Sequence, residues 1–206
     1  MSIRSVDKFL RHHAFPTLAG AQFRRRRRTL LKDAPNGRQA VVVFDVEVDQ
    51  AKSAFQVSYG VITPVHVEFL ADQGFPRAEW PPYSISLLHS RLLSPKIAQI
   101  RAAGYPLPQQ WVLGSTDHYI EIAEALARSL EDELIPAINS WFDPAMMVKD
   151  LADKAPGTYP GLTPRPRALA MALLDVEDSE ELLQRTLALL PTDDMVRLWV
   201  ERRRGL

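Results

Sequence analysis

Five consecutive arginines, Arg24 to Arg28, are the side chains best equipped for chemistry in this sequence. A guanidinium is always charged and pairs in a planar fork with phosphate or carboxylate, so such a run suggests an anion site. Asp45, Glu47 and Asp49 are its counterpart, because at a spacing of two a strand turns all three carboxylates to one face. Acids so placed hold Mg²⁺ in metal-dependent nucleases, usually with a lysine near the second acid, and Lys52 is the only one close by. The two sets also answer each other. Asn36-Gly37 is a strong hairpin signal, and as a two-residue turn it sets Arg28 opposite Asp45, Arg26 opposite Glu47 and Arg24 opposite Asp49. Cross-strand pairs of opposite charge contribute about 0.2–1 kcal/mol each. The same register places Thr29 beside Phe44 and Leu31 beside Val42 on an apolar face. The expectation is therefore a structural ion-pair ladder that leaves no vacancy for a metal. Arg25 and Arg27, on the other side of the strand, are left as candidates for binding a partner.

Other chemistries find few residues. The chain has no cysteine, which excludes a thiol nucleophile, a disulfide scaffold and every cysteine-containing zinc motif. His12 and His13 are adjacent and diverge by about 100° on a helix. His118 and Glu121 share a helical face without a second metal-binding half. There is no Gly-x-Ser-x-Gly elbow, Walker loop or His-Glu-x-x-His, so no catalytic residue and no cofactor is assigned. Trp80, Tyr83, Tyr105 and Trp111 lie in a proline-rich region, where they either anchor a partner or cover the sheet.

The elements that would position these groups follow from periodicity. Val6, Phe9, Leu10 and His13 predict a first helix within 3–19. Residues 23–32, 38–49 and 54–62 read as three strands of an antiparallel meander, with Val42, Phe44, Val46, Phe55, Val57 and Tyr59 on one buried face. Further strands are expected at 83–92 and 110–113. An amphipathic helix runs over 117–141, with Pro136 set to bend or divide it, and Asp143-Pro144 restarts a helix to about 154. Residues 155–166 have linker composition, and helices follow at 167–174, 179–190 and 193–204. The division is thus an α+β domain over 1–154, a Pro/Gly-rich linker over 155–166, and a helical appendage over 167–206. Some forty residues bury little core alone, so the appendage packs on the main domain or on a second subunit.

Charge is balanced overall, with 25 Lys/Arg against 25 Asp/Glu, but unevenly placed. Residues 1–40 hold ten cations and two acids, a net +8, whereas residues 116–206 hold ten and seventeen, a net −7. This polarity suits either internal complementarity or a basic face for an anionic partner. No run of eighteen apolar residues and no signal-peptide core occurs, so a cytoplasmic protein without a membrane partner is expected.

Phe23 with its basic followers, and the strand Phe55-Gln-Val-Ser-Tyr-Gly60-Val61, resemble an uncharacterised bacterial domain-of-unknown-function family. Its pattern is a Gly-Phe-basic-basic opening before a Phe-x-Val-x-x-Gly-Val strand. Leu130 to Phe142, with Ile135-Pro136 and Trp141-Phe142, resembles its closing helix. The resemblance covers residues 1–154 and implies an α+β fold and a bacterial source, with no reaction attached. Gly20 stands further from Phe23 than in that pattern, and Asp45-Val-Glu47 replaces an amide-containing segment. The functional expectation is a non-enzymatic protein acting through a macromolecular partner, another protein in an immunity-type or regulatory role. The alternative is a nucleic-acid-binding or metal-dependent nucleic-acid-acting protein that uses Arg24 to Arg28.

Overall fold

A computed structural model of the chain describes residues 3–48, 53–75, 78–79, 81–82, 85–94, 110–113, 119–153, 158–160 and 164–205. The fold is α+β with an antiparallel sheet. In chain order the described elements begin with α1 (Ile3–His13), α2 (Phe15–Gly20), β1 (Arg24–Arg26), β2 (Thr29–Asp33), β3 (Gln39–Val48) and β4 (Ser53–Ile62). There follow α3 (Pro64–Asp72), β5 (Leu88–Leu92), β6 (Trp111–Leu113), α4 (Tyr119–Ser129), a π-helical turn (Leu130–Leu134) and α5 (Ile135–Trp141). The last are α6 (Pro144–Asp153), β7 (Thr158–Pro160), α7 (Arg165–Leu173), α8 (Glu180–Leu187) and α9 (Met195–Arg204). The sheet order is β1-β2-β3-β4-β5-β7, with β6 also paired to β4.

The chain divides into two compact units. The first comprises Met1–Lys32, Val42–Tyr59 and Arg91–Ile138. Its core follows from alternation on the strands and from Val6, Phe9 and Leu10 at helical spacing on α1, all buried. Phe55 stacks on Trp111 at 6.0 Å, and Phe9 and Phe44 lie 6.0 and 6.2 Å from Phe55. Such aromatic pairs add about 0.5–1.5 kcal/mol each beyond area burial. Of the six side chains predicted for one buried face, Val46 alone is only half-buried, because β3 runs out to solvent at Asp45 and beyond.

The second unit comprises Asp33–Val41, Gly60–Ser90 and Asn139–Leu206. Here α7 packs on α6, α8 and α9, and α3 packs on α7. The Trp199 indole N–H on α9 donates to Asp72 at 2.7 Å and its ring meets Phe69 edge-on at 5.5 Å. Asp194 caps α9 by accepting from the Val196 and Arg197 amides, and the Arg167 guanidinium holds its carboxylate from α7. Gly60 is a close approach: a Cβ there would stand 2.6 Å from Ser86 Oγ and 2.7 Å from the Leu88 carbonyl oxygen.

Three expectations need correction. Residues 23–32 are two strands, because the chain reverses at Arg27–Arg28 and pairs Arg24 with Leu31, Arg25 with Leu30 and Arg26 with Thr29. The Asn36-Gly37 hairpin has a three-residue loop, since the Ala34 amide donates to the Arg38 carbonyl and the Phe44 amide to the Arg28 carbonyl. Gly37, at φ 77°, supplies the left-handed residue that such a loop requires. The register is thereby one residue away from the predicted one. The helix over 117–141 is divided at Pro136, as its sequence predicts, and the division takes the form of a π turn. The wider π turn before it, closed by the Ile135 amide on the Leu130 carbonyl, makes room for a ring that lacks an N–H. The stretch 155–166 is more than a linker, because β7 lies within it and pairs antiparallel with β5, Leu88 opposite Pro160.

Candidate anion-binding site

Elements of the first unit surround a cleft of about 720 Å³. Helix α1 supplies Asp7 and Arg11, α2 supplies Phe15, the β1–β2 hairpin supplies Arg25, Arg27 and Arg28, and β3 supplies Phe44 and Asp45. Asp7 and Arg11 share one face of α1 by their spacing of four. The hairpin brings three arginines of one short segment to the cleft by reversing direction between them.

The reversal is itself unusual. Arg26 pairs with Thr29, so Arg27 and Arg28 form a two-residue turn, and Arg27 takes φ 58°. Positive φ at the first central position alone is the type II′ pattern, which ordinarily carries glycine there. A non-glycine residue held in that region costs about 1–2 kcal/mol. Backbone strain of this kind concentrates at functional sites.

The backbone register does not set the arginines opposite the acids of β3. β1 and β3 are separated by β2, so Arg24 and Arg26 have Leu31 and Thr29 as backbone partners. Arg28 lies in the turn and bonds Asp7 through both guanidinium edges, Nε to Oδ1 at 2.7 Å and Nη2 to Oδ2 at 3.1 Å. That pairing holds the Asp7 carboxyl below its ordinary pKa and the Arg28 guanidinium above its own. Glu47 accepts from the Gln110 amide at 3.0 Å. Asp49, the third acid, lies outside the described residues.

Asp45 stands on the solvent side of β3 beside buried Phe44. Desolvation pushes its carboxyl up, against the opposing pull of Arg91 and Arg28. Arg25, expected to need a carboxylate, instead lays its guanidinium over the Phe15 ring, 4.5 Å from the centroid. Phe15 in turn meets Phe44 edge-on at 5.5 Å. Arg25 is thus held in place by a neutral partner and keeps its full charge toward the cleft.

Of the aromatic candidates, Trp111 is wholly buried, stacks on Phe55 and donates its indole N–H to the Leu92 carbonyl, so it belongs to the core. Trp80, Tyr83 and Tyr105 lie outside the described residues, as does His118. Among the described residues no three His, Asp or Glu side chains group as metal ligands would, and no helix is long and apolar enough to cross a membrane. Asp7, Arg11 and Phe15 were missed by sequence reasoning. The basic last turn of α1 was the available signal, but nothing local indicates that α1 meets the hairpin. Comparison with family models, with characterised proteins and with solved structures yields no match to this chain.

Proposed function

We propose that this is a binding protein whose macromolecular partner presents phosphates to the arginine cleft, with nucleic acid as the partner. The observation that carries this reading is the charge inventory of the cleft, Arg11, Arg25, Arg27 and Arg28 against Asp7 and Asp45. Arg28 and Asp7 are engaged with each other, which leaves three guanidiniums facing one carboxylate. Removing anions from water to sit among these groups is favoured by fork-shaped, charge-assisted hydrogen bonds. The Phe15 platform holds the Arg25 guanidinium in position before any partner arrives, and the turn fixes the backbone that carries Arg27, which lowers the ordering entropy of binding. An acidic protein surface, the partner expected from sequence, would meet the same charges with carboxylates.

Fluorescence anisotropy of labelled single-stranded and duplex oligonucleotides, measured across a salt series, tests the reading. Affinity should fall steeply with salt. Arg25→Ala and Arg27→Ala should each weaken binding and flatten the log–log slope by about 0.7–0.9 per lost phosphate contact. Salt-independent binding, or variants that bind like the parent chain, would refute it.

A further inference from the structure

Of the four guanidiniums lining the arginine cleft, Arg28 alone is ion-paired to a carboxylate among the described residues. Its Nε and Nη2 donate to the two oxygens of Asp7 at 2.7 and 3.1 Å, the same fork by which a guanidinium takes a phosphate. Asp7 comes from α1, 21 residues away in sequence, so the pair is a tertiary contact made at the cleft itself. Arg11, one turn further along α1, adds its own pull on the same carboxylate. Asp7 thus stands where an entering anion would find ready ligands.

The two acids of the cleft act differently. Asp45 reaches Arg28 through space, without a hydrogen bond, and lowers the charge of the cleft without occupying a guanidinium. Asp7 occupies one. The geometry of its pair is good, yet the two side chains are 31% and 35% exposed, so water screens the bond and keeps it exchangeable. Tethering sets what can replace it. A group held on the same chain competes at an effective concentration of about millimolar, so dissolved small anions meet a standing rival. A strand already anchored by one phosphate at Arg25 and Arg27 is tethered as well, and brings its next phosphate to Arg28 on equal terms.

We infer that Asp7 is a built-in competitor: it occupies Arg28 in the free protein and gives it up to a phosphate of a bound strand. This rests on the reading of the cleft as a phosphate site and adds an autoinhibitory contact to it. The contrary role, a brace that holds the hairpin against α1, gives Asp7 an effect of opposite sign.

The test is a double-mutant cycle on the full chain, read by anisotropy of a labelled single-stranded oligonucleotide. Asp7→Asn removes the charge at nearly constant shape. With Arg28 present it should tighten binding by roughly fivefold beyond its effect in the Arg28→Ala background, the upper range for a part-exposed pair. Charge alone acts in both backgrounds and cancels from the comparison. Asp45→Asn, combined with Arg28→Ala in the same way, should show much less coupling. The parent chain supplies a check that depends on no variant folding: the Arg28 Nε–H resonance, assigned on labelled protein, should shift when the oligonucleotide saturates the site. Equal gains from Asp7→Asn with and without Arg28, weaker binding by Asp7→Asn, or an unmoved Arg28 resonance would each overturn the inference while leaving the phosphate cleft standing. Failure of the parent chain to bind the oligonucleotide at all would overturn both.

Discussion

Replacing Arg27 by glycine should make the protein more stable and a weaker binder at once. The turn holds Arg27 at φ 58°, a conformation that costs a side-chain-bearing residue about 1–2 kcal/mol and glycine almost nothing. Glycine also gives the unfolded chain more freedom, which takes back about 0.4–1 kcal/mol. The difference is a net gain of about 0.5–1 kcal/mol, or a rise in Tm of about 1–4 °C for a chain of 206 residues. The cleft loses one of its four guanidiniums, so the salt slope of polyanion binding should drop by about 0.7–0.9. Arg27→Ala is the companion variant: it removes the same charge but keeps the strained backbone, so it should weaken binding without the rise in Tm. Urea denaturation and anisotropy on the two variants separate strain from charge. A glycine variant that melts lower than the parent, or an alanine variant that gains as much as the glycine one, would refute the reasoning.

Three further outcomes follow from the second unit. His66 is buried, its Nδ1 has no partner, and burial lowers its pKa to about 4 from 6.5. The unfolded chain then takes up a proton that the folded one refuses, so stability should fall by about 3 kcal/mol as pH drops from 6.5 to 4, and His66→Leu should flatten that window in pH-dependent urea titrations. Gly60→Ala should cost about 1–3 kcal/mol through overpacking, and adding Ser86→Gly should recover only part of it, because the Leu88 carbonyl oxygen, 2.7 Å from the new Cβ, belongs to the backbone. Arg38→Met should cost about 3 kcal/mol, the lower end for breaking a buried pair, because Asp175 keeps some contact with water; thermal melts will show it.

How far the sequence reveals this protein depends on whether the deciding contact is local. Alternation over Val42, Phe44 and Asp45 reports a strand because burial on one face acts residue by residue. Asn36-Gly37 reports a turn, yet the loop length sets the register, and one extra loop residue was enough to shift every predicted cross-strand partner. The Arg27–Arg28 reversal was invisible because it lacks the glycine or asparagine that marks such turns. β7 was hidden by its own composition, since three residues ending in Pro160 offer no period to detect. For the site, the arginines were legible as anion ligands, whereas Asp7, 21 residues from Arg28, entered only through tertiary packing.

Arg38 has a consequence for how the chain is made. Its guanidinium is almost wholly buried, donating to the Trp141 carbonyl at 3.0 Å and to Asp175 at 2.9 Å, across 103 and 137 residues of sequence. At a synthesis rate of about 5–20 residues per second, Asp175 emerges some 7–27 s after Arg38. The Trp141 carbonyl comes first, about 5–21 s after Arg38, but the compensating carboxylate is missing for the whole interval, and burying the cation without it would be costly. The β2–β3 hairpin that carries Arg38 therefore cannot settle into its final surroundings when it is made, and must wait, with its charge in water, until Asp175 has been added more than a hundred residues later.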